Sequence, residues 1–245
     1  MALKITNTYE SGEFQTLFER IDKTVHRVIE VKQSLVTDYP AWPVGTDVRT
    51  GLFFRLHNQL NPAMYAALAI HRHMVKPGWW MPVIGKPLDG DSMRVELLNL
   101  SQFLKIGLLH QVFSTIEASY RILLRALDPL ACDGATAEFK SVYDCLLGAK
   151  LALPEDDRAV LDVLRNLRNT VHNGGVVFHR KARDQQVQYR GVLYDFQHQE
   201  LVQFAAWEPI LTWIDDVVSL SNQVMRHPSI AGLPVPVVDP SAMVI

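Results

Sequence analysis

The chain has 245 residues, 48% of them hydrophobic and 20% charged, with a formal net charge of −2. That is enough length and apolar content for a real core, in one large domain or two small ones. It is too little net charge for a global field to draw the chain to nucleic acid or membrane, so any polyanion site must be a local patch.

The first residues, Met1 to Asn7, lack the apolar run of a signal peptide. The longest charge-free apolar stretch, Ile106 to Ile116, is too short to span a bilayer. Cys132 and Cys145 form no CxxC pair and read as two reduced thiols. These features point to a cytoplasmic protein with no membrane partner.

Taken in chain order, most of the sequence predicts helix. Residues 13–36 carry Phe14, Leu17, Ile21, Val25 and Val28 close to a 3.6 period, and Tyr39-Pro40-Ala41-Trp42-Pro43 ends that run. A second helix is expected over 50–74, with Pro62 as a kink or break. His71-Arg72-His73 within it is no metal site, because side chains two apart on a helix point to opposite sides. Residues 77–87, rich in Pro, Gly and aromatics, read as a loop, with Trp79-Trp80 anchoring it to the core.

Asp91-Ser92 reads as the cap of a long helical stretch over 93–127, with Gly107 as a dividing point. Its second half is apolar on nearly every face and should be central. A further helix ends near Ala149. Pro154, followed by Glu155, Asp156 and Asp157, opens the next, which stops at Asn173-Gly174-Gly175. Val176 to Phe178 and Val187 to Phe196 then read as the two arms of a small β-hairpin, and 207–225 as a final helix. The organisation expected is a helical segment at 1–90 packing on a bundle at 91–227, with an extended, partly loose tail at 228–245.

The chemistry concentrates in Leu164-Arg165-Asn166-Leu167-Arg168-Asn169-Thr170-Val171-His172-Asn173-Gly174-Gly175. Val160, Leu164, Leu167 and Val171 form a core-facing stripe. Arg165, Arg168 and His172 follow the same rhythm one residue later, so they share a strip about 100° round the helix. Asn166, Asn169 and Asn173 flank it with amide groups. Three cationic groups on one strip repel unless something anionic sits there. One internal candidate is Glu117, a lone acid in the most apolar helix, which a buried environment would force to pair with Arg165 or Arg168. The other arginine would then be open to a phosphate.

Arginine beside histidine suits phosphodiester cleavage without a metal or cofactor. A histidine titrating near neutrality can take the proton of a ribose 2′-hydroxyl or return one to a leaving oxygen. A guanidinium holds the phosphate and stabilises charge that grows on it. From Arg165 to Arg190 there are six Lys/Arg against the single acid Asp184. Arg180, Lys181 and Arg183, on the expected hairpin turn, would extend a phosphate-binding surface.

These residues resemble the HEPN superfamily, helical-bundle proteins whose ribonuclease members carry Arg, four to six residues, then His. Arg165-Asn166 followed by His172 matches that spacing, whereas Arg168 leaves too few residues. The resemblance covers roughly residues 93–226, and Glu117 resembles the acid of the preceding core helix. It implies a mainly α fold, a HEPN-type bundle with a small β-hairpin after the motif helix and a C-terminal helix. It also implies a metal-independent endoribonuclease of the toxin or antiviral-defence kind, with RNA as substrate. Arg165 and His172 would be its catalytic pair, and the protein would work as a homodimer, with an antitoxin or defence protein as partner. The alternative is a non-catalytic module of the same fold, binding RNA, a nucleotide or a protein.

Overall fold

A computed structural model describes residues 11–131, 138–171, 173–178 and 183–240. Helix α1 (Ser11–Asp38) stops at the Pro40–Pro43 break. Asp47, extended and accepting from the Arg49 backbone N–H, opens α2 (Val48–Ala69). Pro62 lies inside α2 without ending it, and α2 runs on into a wider π-helical turn, Ile70–Met74. The expected loop is a 3-10 turn (Pro77–Trp80) followed by the short helix α3 (Met81–Ile84), closed by Gly85 at φ +78°.

Helix α4 (Gly90–Leu127) is one unbroken rod of 38 residues. Its cap is Asp89, whose carboxylate accepts from Ser92, rather than Asp91. Gly107 does not divide it, since one interior glycine costs a helix only about 1 kcal/mol. Helix α5 (Phe139–Tyr143) continues as a π-helical turn, Asp144–Lys150, and α6 (Glu155–Val171) carries the arginine strip.

The hairpin is placed differently from the sequence expectation. Strands β1 (Gln185–Tyr189) and β2 (Val192–Phe196) pair antiparallel about Arg190-Gly191, with Gln185 opposite Phe196 and Tyr189 opposite Val192. Both turn residues have positive φ, +48° and +74°, which matches the twist of a two-residue hairpin. Val176 forms only an isolated bridge with Leu201. The segment expected as one arm, 187–196, thus holds most of both strands and their turn, while the expected turn residues 179–182 lie outside the described residues.

Helix α7 (Trp207–Arg226) and the short α8 (Pro228–Ala231) complete the chain of elements. One apolar core takes residues from Ile21 on α1 to Val237 near the C-terminus, so residues 1–90 and 91–227 share it as far as they are described. A smaller cluster of Phe14, Ile70, Trp80, Leu88 and Leu97 sits where α1, the end of α2 and the start of α4 meet. Trp80 is buried there and donates to the Met74 carbonyl at 2.9 Å, so it does anchor its loop.

The tail is not loose over its described part. Asp47 and Arg49, both fully buried, form a bidentate pair of 2.8 and 2.6 Å. Arg49 also donates to the carbonyls of Ile230 and Leu233, and Asp47 accepts from the Val237 N–H. Asp239 pairs with Arg55 of α2. Residues 228–239 are thus strapped onto α2 by charges that must find partners once they leave water.

Candidate functional site

Helix α6 buries Val160, Leu161, Val163, Leu164 and Leu167, leaves Arg165 and Arg168 half-buried and exposes Asn169. Leu161 lies on the same side as Arg165 and Arg168 and is buried. The strip therefore faces the groove toward α4 and α5 rather than open solvent. Arg168 lies over the Phe113 ring of α4, its guanidinium carbon 5.7 Å from the centroid. Phe113 meets Phe139 edge-on at 5.2 Å, and Phe139 meets Tyr143 edge-on at 5.0 Å. An aromatic chain from α4 through α5 thus runs from Arg168 toward the neighbourhood of Arg165.

Arg165 is held by Asp162, one helical turn earlier, at 3.5 Å. The same carboxylate oxygen accepts the Tyr143 hydroxyl at 2.6 Å and the Lys140 ammonium at 3.3 Å. Burial, then the neighbouring Asp162 carboxylate, push the Tyr143 hydroxyl well above its ordinary range, with Arg165 opposing. Tyr143 is therefore a fixed neutral donor to Asp162.

Glu117 does not play the internal-partner role expected of it. It is half-buried rather than buried, and its carboxylate pairs at 2.6 Å with Arg121 one turn along the same helix. An (i, i+4) partner was closer than any on α6.

Arg168 has a weaker hold, a 3.4 Å hydrogen bond to the side chain of the adjacent Asn169. In both Arg165 and Arg168 the Nε–H is buried with no hydrogen-bond partner among the described residues. Asn169 and Asn173 are exposed, and the Asn173 amide donates to the Asn169 carbonyl at 3.4 Å. Asn166 is not on the strip's rim. The 100° step from Arg165 carries it onto the edge of the core face beside Val163 and Thr170, where it is 7% exposed.

His172, Arg180 and Lys181 lie outside the described residues; Arg183 is exposed. Arg190, counted with the basic run in sequence, stands elsewhere. Its guanidinium pairs with Asp216 at 2.6 Å, and Asp216 also accepts the Tyr189 hydroxyl at 2.6 Å. Those residues line a 460 Å³ cleft with Asp156 and Asp157 from the start of α6, the opposite end from the strip.

Sequence reading missed Asp162, Tyr143, Phe139 and Phe113. The first was accessible, since an acid three residues before an arginine on a helix is a standing pair. The aromatics come from other helices, and only packing shows where they go. No family model matches the chain, and no curated protein and no solved structure matches it.

Proposed function

We propose that the α6 strip is an RNA phosphate site, and that the chain is a HEPN-like, metal-independent endoribonuclease in which His172 moves the proton. The observation that carries the reading is the pair of buried, unpartnered Nε–H donors on Arg165 and Arg168. A buried donor without an acceptor costs about 1–3 kcal/mol, which the guanidinium would recover by turning outward onto an anion. Phosphate oxygens fit, because a guanidinium offers parallel N–H donors to two of them.

The two arginines divide the work. Arg165, tied to Asp162, is fixed in direction and partly neutralised. Arg168, resting on Phe113 with only Asn169 beside it, keeps its charge for the ligand. This favours Arg168 as the first phosphate contact, with Arg165 behind it and His172, one turn on in sequence, as general acid and base. A homodimer with facing motifs, and an antitoxin or defence partner, remain part of the proposal by resemblance alone.

A second reading is a non-catalytic module that binds RNA, a nucleotide or a protein through the same strip. The Asp162–Arg165 pair favours it, since a catalytic guanidinium gains from being unspent. Incubating the protein with total RNA in the presence of a chelator separates the two. Cleavage by the wild type that His172→Ala abolishes supports the nuclease. Binding without cleavage supports the module, and neither binding nor cleavage rejects the RNA site altogether.

A further inference from the structure

The segment between α2 and α4 has a construction that neither the core nor the arginine strip uses. Trp80 and Leu88 are buried in the smaller apolar cluster, and every residue between them, 81–87, is exposed. Among these are Met81 at 50%, Val83 at 57% and Ile84 at 45% exposure, with Trp79 also at the surface. Four large apolar side chains thus project from a short tongue whose two ends are pinned. Its fold is fixed from within: Gly85 adopts φ +78° to close α3, and Trp80 is tied to Met74. Single exposed apolar residues are ordinary, but a rigid group of them marks a contact surface.

The charges around the tongue indicate what it meets. The chain has 26 Asp and Glu, yet residues 48–88 contain none. Of the basic residues there, Arg49 and Arg55 turn inward onto Asp47 and Asp239. Arg72, Lys76 and Lys86 are exposed and form no ion pair among the described residues. Lys76 and Lys86 bracket the apolar tip in sequence. A tryptophan and aliphatic tip bracketed by lysines, with the nearest acid in sequence, Asp89, turned onto Ser92 as the cap of α4, is complementary to an anionic lipid surface. The tip enters the headgroup boundary while the lysines stay with the phosphates.

We propose that the tongue formed by residues 76–86 docks this protein peripherally on an anionic membrane. This is distinct from crossing one: among the described residues no helix is long and apolar enough to do so. Either signal alone is weak, and the pairing of apolar insertion with basic attraction is what gives stable attachment. The proposal is independent of the RNA reading, because the tongue and the α6 strip share no residue.

The test is co-sedimentation of the full chain with phosphatidylcholine vesicles, with and without phosphatidylserine, together with tryptophan emission. Expected is binding to the phosphatidylserine vesicles with a blue shift, loss of that binding in high salt, and little binding to phosphatidylcholine alone. Met81→Asp with Ile84→Asp should weaken binding at least tenfold. Lys76→Gln and Lys86→Gln should each weaken it about fivefold. All four positions are exposed, so an unchanged thermal midpoint checks that the fold is intact. The proposal is overturned by equal binding to both vesicle types, by binding that these variants leave unchanged, or by no binding. It is equally overturned by a dimer that the Met81/Ile84 variant splits, which would make a second copy the occupant.

Discussion

Tyr143 donates its hydroxyl to Asp162 across 2.6 Å, and the carboxylate oxygen it meets is the one that holds Arg165. This small relay from α5 to α6 decides which arginine of the strip is spent on the fold. Asp162→Asn keeps an acceptor for Tyr143 but removes the charge that balances Arg165 and Lys140. A loss of about 1.5–3 kcal/mol is expected, the range for a hydrogen bond to a charged group. Urea denaturation measures it, and a wild-type midpoint would show the relay to be idle.

Glu117→Ala should cost little. Its pair with Arg121 is a half-exposed contact within one helix, worth about 0.3–0.5 kcal/mol. Thermal melts of the variant should shift by a few degrees at most. A large loss would mean that the carboxylate also supports α6.

Asp47→Ala should be far more damaging. It strands the fully buried Arg49 guanidinium and releases the Val237 N–H. Breaking a buried pair in this way costs about 3–5 kcal/mol. Hydrogen exchange should rise first over residues 228–239, the strap that Arg49 and Asp47 hold to α2. Unchanged protection there would contradict the strap.

Alkaline pH should destabilise the protein. The hydroxyls of Tyr120, Tyr143 and Tyr189 are each held above the ordinary tyrosine value of 10.0, chiefly by burial. In the unfolded chain they lose their protons near pH 10, while in the fold they keep them. The native state therefore binds more protons, and stability falls as pH rises past 10. Each tyrosine adds up to about 1.4 kcal/mol per pH unit. Absorbance at alkaline pH should show these three ionising only with unfolding; ionisation of every tyrosine near pH 10 in the folded protein would refute it.

The helices and the strip were legible because a 3.6 period survives in a single sequence. Arg165 and Arg168 fall on one side of α6 by spacing alone. What spacing cannot do is choose partners. Glu117 looked like the acid for the strip because it sits in an apolar helix, yet Arg121 one turn away took it. The hairpin was misplaced for a related reason. Val176 to Phe178 have strand-forming side chains, but Arg190-Gly191 supplies the positive-φ turn that fixes which segments pair. The strap of the C-terminal residues depends on Arg49 and Asp239 meeting partners far away in the chain, which no local pattern carries.

The central claim is that Arg168 contacts RNA phosphate, and RNA affinity as a function of salt tests it most directly. Measured on a single-stranded oligonucleotide in a His172→Ala background, which prevents cleavage, Arg168→Ala should weaken binding about tenfold or more. It should also reduce the slope of log K against log salt by about 0.7, the loss of one phosphate contact. An Arg168→Ala protein with the parent affinity and the parent slope would contradict the claim.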